Sequence, residues 1–362
     1  MAYRQLLRSR LCPLAGVRSF SSHLPEPASA RMSTLLSEYE QLPPRPVPLK
    51  TLRAFADPPT PESVLESASY VLSELPRRLV QRVRALDGLP FIVGMNPFVM
   101  RTHKLYHSSF ERLARYPEVK TLEENDTFAR DLENLVEMHA NDIPTIAKGF
   151  QECSRYLSPE RVSAFLDLSI RGRIAVRLIA EQHIAISRAV REIKRSGKMR
   201  PGEIGVVSPT CSPAEMVRMC AAFVSELCEA TLGATPPLKI DGIIDTTFAY
   251  VPVHVEYILT EILKNSFRAT VEHQQRLGNR SIHDLPAVTV TIAPPETLNI
   301  STVSENGLAG SPNSDSSLPT PSYLSIRVRD EGGGVPPTNL SRIFSYAFTT
   351  AGRLAQKGED EG

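Results

Sequence analysis

Tryptophan is absent from this chain and aromatic residues make up only 6% of it, while the formal net charge is +1. A near-neutral chain with few stacking side chains gives no support to a nucleic-acid role. No uninterrupted apolar run is long enough to cross a bilayer, so a membrane span is not expected. The five cysteines (Cys12, Cys153, Cys211, Cys220 and Cys228) stand at spacings that fit neither a zinc ligand set nor a redox pair. They read as reduced, mostly buried thiols. Acidic residues are missing from the N-terminus until Glu26, where Arg4, Arg8, Arg10 and Arg18 interleave with Leu6, Leu7, Leu11, Leu14 and Val17. That combination is the pattern of a mitochondrial presequence over residues 1–30, with a cleavage neighbourhood around Val17 to Ser22.

What remains has ordinary soluble composition, 41% apolar and 22% charged, with room for two domains. From Leu35 to about Asp57 the chain is Pro-rich and reads as an irregular lead-in on a domain surface. Helical spacing then dominates: Pro61 to Leu72, Leu75 to Leu86, Arg101 to Ala114, about Asp126 to Leu157, and Pro159 to Arg195 with Gly197 as its C-cap. Helices joined by short links imply an antiparallel bundle over residues 31–200. After Arg200-Pro201 a mixed α/β domain is expected over 201–362, with Glu203 to Val207 and Pro237 to Ile240 strand-like and Pro213 to Leu232 helical. Val288, Val290 and Ile292 alternate, as do Leu324, Ile326 and Val328, so each run offers a sheet one buried face. Residues 294–321 are rich in Ser, Pro, Asn and Gly and read as a disordered insertion.

Two short stretches carry the chemistry. In Glu261-Ile-Leu-Lys264-Asn265-Ser-Phe-Arg268, helical spacing puts Glu261, Lys264, Asn265 and Arg268 on one face, with apolar contacts expected from Ile258, Ile262 and Phe267. Asn265 offers a hard neutral oxygen to Mg²⁺, and Glu261 could accept the proton of an attacking hydroxyl. Lys264 and Arg268 could neutralise phosphate or pair with nearby acids, and a plain solvated helix face would read the same way. The second stretch, Asp330-Glu-Gly332-Gly333-Gly334, follows a strand-like run. Alternation puts Asp330 on the face of Ile326 and Val328, so its carboxylate should point towards the helical layer. An inward acid followed by glycines lets backbone approach a flat ligand closely, and a carboxylate can accept from the exocyclic amine of adenine.

These two motifs, in this order, resemble the N-box and first glycine box of the Bergerat-fold (GHKL) ATPases. Within that superfamily, His254 to Glu272 and Phe344 to Thr350 are similar to the mitochondrial kinases of α-ketoacid dehydrogenase complexes, branched-chain and pyruvate, supported by Pro46 to Lys50, Glu74 to Leu79, Phe165 to Asp167 and Arg173 to His183. The resemblance implies a fold of α plus α/β class, a helical bundle followed by an incomplete Bergerat-type sandwich. It implies a matrix protein-serine kinase using ATP and Mg²⁺. Its substrate would be the decarboxylase α subunit, its docking partner the lipoyl domain of the acyltransferase core, and its full-length form a homodimer. By the same resemblance Glu261 would be the general base and Asn265 the metal ligand. Asp330 would be the adenine partner and Gly332 and Gly334 the nucleotide clearance. Thr349 and Thr350 match the polar pair opening the ATP lid, whereas Lys264 and Arg268 match the family's basic positions less decisively. Tyr257, four before the base, leans towards the branched-chain type, while Phe344-Ser-Tyr346 resembles the pyruvate type.

Two rival readings stand beside this one. The family's second glycine box and last strands find no match before Gly362, so a truncated kinase is expected, with a catalytically silent docking protein as the alternative. Separately, His139-Ala-Asn-Asp-Ile-Pro144 resembles the phosphoacceptor box of histidine sensor kinases, although Ala140 stands where an acid normally follows. His139 also continues the apolar stripe of Leu132, Leu135, Ile143, Ile146 and Phe150, which reads as a packed histidine near a Pro144 kink.

Overall fold

The computed structural model describes residues 30–197, 205–278, 284–294 and 323–344. All but the last residue of the expected presequence, all but the first residue of the expected insertion, and Thr349 and Thr350 lie outside them. Among the described residues eight helices come first: α1 (Ala30–Glu40), α2 (Leu49–Ala54), α3 (Pro61–Asp87), α4 (Phe91–Gly94), α5 (Pro97–Ala114), α6 (Leu122–Met138), α7 (Asp142–Glu152) and α8 (Pro159–Ser196). The α/β part follows with β1 (Ser208–Cys211), α9 (Pro213–Leu232), β2 (Leu238–Gly242), β3 (Phe248–Tyr250), α10 (Pro252–Arg276), β4 (Val288–Ala293) and β5 (Ser325–Arg329). A short 3-10 turn spans Pro337–Arg342. No helix among the described residues is long and apolar enough to cross a membrane.

The bundle core joins α1, α3, α5, α6, α7 and α8 through buried residues such as Leu36, Leu75, Phe110, Phe128, Phe150 and Ile179. Several boundaries differ from the sequence expectation, each for a local reason. The lead-in is not irregular throughout: Met32 and Leu36, one turn apart, are both buried, and that contact holds α1 as a helix. The two runs expected at Pro61 to Leu72 and Leu75 to Leu86 form one helix, α3, with Pro76 inside it. Proline removes one helical hydrogen bond, but Val71, Leu75, Leu79 and Val83 are all at most 2% exposed and their burial outweighs that loss.

Conversely, the single helix expected from Asp126 to Leu157 is two. It starts earlier, because Thr121 and Glu124 form a reciprocal capping box. It breaks at His139, and Pro144 falls in the first turn of α7, where its missing N–H is not needed. Arg173 of α8 donates to the carbonyl oxygens of His139 and Ala140 and so satisfies the broken end. The end of α8 is as expected, with Gly197 at φ +63°.

One buried carboxylate anchors the Pro-rich lead-in to α3. Glu74 is fully buried and accepts from Arg45 of the lead-in and from Arg78, the latter at 2.5 Å. Burial pushes its pKa up, yet the hydrogen bonds from Arg78 and Arg45 outweigh burial and leave it below the usual carboxylate range.

In the α/β part, β1 pairs antiparallel with β3, and a second sheet runs β2-β4-β5 with β2 and β4 parallel and β5 antiparallel to β4. Glu203 to Val207 does not supply the expected strand. Its described residues, 205–207, precede β1, and the Val206 amide bonds to a side chain of α8 instead of a neighbouring strand. The alternation expected of β4 is present: Val288, Val290 and Ile292 are at most 1% exposed and face α9 and α10. Cys153, Cys211, Cys220 and Cys228 are free and buried.

His183 of α8 makes the bundle acid-sensitive. It is fully buried, its ring 5.2 Å from that of Phe128 and its Nδ1 3.0 Å from Ser67 Oγ, and burial drives its pKa from 6.5 down to about 4. As pH falls from 6.5 to about 4, the unfolded chain takes up a proton that the folded chain refuses, so stability is full above this window and is lost within it. His183→Gln is expected to remove roughly 3 kcal/mol of that pH dependence. Urea unfolding curves between pH 7 and 4 would read this as a flatter profile than the parent's.

Candidate functional site

The α10 helix owes its position to a stripe of Val255, Leu259, Leu263, Phe267 and Val271, spaced four apart and at most 8% exposed. They pack on α9 and on the inner face of β4. Ile258 and Ile262, expected to supply apolar contacts, are instead 51% and 42% exposed, whereas Phe267 is buried as expected. The misreading came from apolar character without phase: only the Val255 stripe lies on the side that meets the sheet.

The charged face lies where the sequence suggested. Glu261 and Lys264 are half-buried and paired at 2.6 Å, Asn265 is exposed, and Arg268 pairs with Glu272 at 2.5 Å. Both basic side chains therefore hold acids of their own helix. These surface pairs are of the kind worth only about 0–1 kcal/mol, so either cation could turn to a phosphate at small cost.

The second motif comes to the same helix. Ile326 and Val328 lean on the core with α10, and Asp330 continues that face, half-buried, its Oδ1 accepting from the Gly332 amide at 2.9 Å. Gly332 is buried, and a Cβ added to it would collide with the Ala269 methyl and lie 3.0 Å from Asp330 Oδ1. The next glycine, at φ +82°, would meet the His273 ring at 2.7 Å if it carried a Cβ. Gly334 is also left-handed, at φ +76°, and faces open space. Glu261, Asn265, Ala269 and His273 succeed one another at steps of four, so they form one ridge. The glycine loop covers its second half, leaving Glu261 and Asn265 uncovered beside it. Ala269 and His273 escaped the sequence reading. The signal was there, in the continued four-residue step from Asn265, but nothing local says that a glycine loop lies on them.

The donor set suits a hard cation held with a phosphate ligand. Among the described residues no cluster of three or more His, Cys, Asp or Glu could hold a metal alone. An amide oxygen beside a carboxylate is the kind of partial shell that Mg²⁺ completes with water and phosphate oxygens.

His139 is engaged on both ring nitrogens. Nδ1 donates to Asp142 Oδ2 at 2.5 Å, Nε2 lies 2.9 Å from Ser109 Oγ, and the ring lies 4.6 Å from that of Tyr106. With its side chain only 15% exposed, it is placed as a packed histidine at a helix break and offers no free nitrogen to a phosphate.

A family model described as mitochondrial branched-chain alpha-ketoacid dehydrogenase kinase matches residues 46–208, from the lead-in to the start of β1. Similar curated proteins match over longer stretches. The chain is 26% identical over 319 residues to the mitochondrial [pyruvate dehydrogenase (acetyl-transferring)] kinase of Arabidopsis thaliana, spanning 87% of this chain and 77% of that one. It is 28% identical over 331 residues to mitochondrial kinase isozyme 4 of Rattus norvegicus, spanning 88% and 70%. The match to mitochondrial kinase 2 of Saccharomyces cerevisiae is 27% identical over 313 residues and spans 84% and 57%.

The close approach of the glycine loop to α10 is open to a direct check. Gly332→Ala is expected to destabilise the fold by about 1–3 kcal/mol through overpacking against Ala269. Adding Ala269→Gly should recover part of that loss beyond simple additivity, as a double-mutant cycle in urea would report.

Proposed function

We propose that the chain, similar over most of its length to mitochondrial dehydrogenase kinases, is itself a kinase of the mitochondrial α-ketoacid dehydrogenase family that uses Mg-ATP to phosphorylate a serine of the decarboxylase component. The observation that carries this reading is the ridge of α10. Two motifs more than sixty residues apart converge there, an acid and an amide left open next to a glycine-backed carboxylate. Asp330 accepts from the adenine amine in this reading, and Gly332 and Gly334 leave clearance for the nucleotide. Asn265 would hold Mg²⁺, which supplies charge neutralisation to the phosphates when bound. Glu261 takes the proton from the substrate hydroxyl as its oxygen bonds to the γ-phosphorus and the bond to ADP breaks. Lys264 and Arg268, now paired with Glu261 and Glu272, are close enough in sequence phase to re-partner with phosphate. Thr349 and Thr350 belong to the same proposal as the opening of an ATP lid.

The branched-chain decarboxylase α subunit is the substrate we favour, supported by Tyr257, four positions before the base, and by the description of the matching family model. The pyruvate component is the second reading, supported by the names of the similar kinases. Docking on a lipoyl domain through the bundle, a homodimeric full-length form and a matrix location complete the proposal.

Serine-containing peptides copied from the two decarboxylase components, offered with Mg-ATP, separate these readings by which is labelled faster. Glu261→Gln is expected to lower kcat by roughly 10²–10⁴-fold while leaving Mg-ATP affinity nearly unchanged. Serine labelling unaffected by that change would refute the base assignment. Tight nucleotide binding without transfer to either peptide would favour a docking protein.

A further inference from the structure

Where the helical bundle meets the α/β part lies a buried side chain, Gln182 of α8, which is 1% exposed. Its Nε2 donates to the Leu52 carbonyl of α2 at 2.7 Å, and its Oε1 accepts from the Val206 amide at 2.6 Å. Both partners need it. The Ala56 amide, which would close the next helical turn on Leu52, goes to Arg53 instead, and Val206 precedes β1 and belongs to no strand. A single amide thus satisfies two backbone groups, one from each side of the junction.

The surroundings fix this contact. Gly205 sits at φ +97°, and a Cβ there would lie 2.6 Å from both polar atoms of the Gln182 amide. Leu52, Val207 and Val251 form a buried apolar seam, with Leu178, one turn before Gln182, packed against it. Val251 is the N-cap of α10, and its carbonyl accepts from the His254 and Val255 amides. From Val206 the chain enters β1, which pairs with β3, and β3 leads directly into Val251. The route from α2 to α10 is therefore contiguous: a hydrogen-bonded clamp, a strand pair and an apolar seam.

We propose that Gln182 is a positioning residue for the α10 site, clamping α2 and α8 to the segment that sets the N-terminus of α10. Movement of α2 against α8 then shifts α10, and with it Glu261 and Asn265, as a rigid helix. The consequence for nucleotide affinity rests on the function proposed above, but the mechanical coupling does not.

Gln182→Met keeps the length and apolar stem and deletes both hydrogen bonds. In the full chain, hydrogen exchange at the His254 and Val255 amides is expected to quicken roughly tenfold, with exchange in α3 and in the middle of α8 unchanged. Mg-ATP affinity should fall about three- to tenfold. Gly205→Ala pushes on the same amide from the α/β side without touching the bundle core, and decides the matter if Gln182→Met fails to fold. Unchanged exchange at His254 and Val255 would overturn the proposal, and so would protection lost evenly across α3, α8 and α10, the mark of a merely structural side chain. A parent chain that binds no Mg-ATP would count against the nucleotide reading, with the exchange result still deciding the clamp.

Discussion

Burial of one stripe of α10 is the constraint on which the site depends. Val255, Leu259, Leu263, Phe267 and Val271 must face α9 and the sheet, because leaving them in water would forfeit about 1.5–3 kcal/mol for each large side chain. A helix turns about 100° per residue, so a group two positions further on lies about 200° round the axis. Glu261 and Asn265 stand two positions after Leu259 and Leu263. They are driven to the opposite side by the packing of their neighbours, without any interaction of their own. The functional face is thus a by-product of the core, and a site so placed needs no strain to hold it.

The glycine loop supplies the other half. Its three consecutive glycines differ in what they do: Gly332 is pressed against Ala269, Gly333 lies over His273, and Gly334 faces open space. Only the first two are demanded by packing. That distinction bears on the proposed function: the contact on Ala269 and His273 holds Asp330 beside α10, while Gly334 is where the proposal puts clearance for a nucleotide. The bundle shows the same economy on a larger scale. A buried carboxylate, Glu74, ties the lead-in to α3, and a buried amide, Gln182, ties α2 to the chain entering β1.

Legibility in the sequence followed the range of the interactions. The ends of α8 and α9 were readable because caps act within one turn: Ser158 and Gly197, Ser212 and Gly233. The alternation of β4 was equally plain. Where the reading departed from the structure, a distant partner decided. Pro76 stays inside α3 because the surrounding core holds the helix. Arg173, contributed by α8, satisfies the break at His139, and α1 exists because Met32 and Leu36 find a core to enter. Ile258 and Ile262 are apolar in the sequence and exposed in the structure, since only the neighbouring helix and sheet determine which stripe of an apolar helix is inside.

By itself the sequence determined the chemistry available: an acid and an amide one helical turn apart, an acid before three glycines, and the resemblance of these motifs to those of a kinase family. Such information is local, carried by spacing along one helix or one strand end. The tertiary structure alone decided that the glycines rest on Ala269 and His273, that Lys264 and Arg268 hold acids of their own helix, and that Gln182 joins two backbone segments 154 residues apart. Those contacts form only when separate elements are brought together by burial, and no spacing rule along the chain encodes which elements meet.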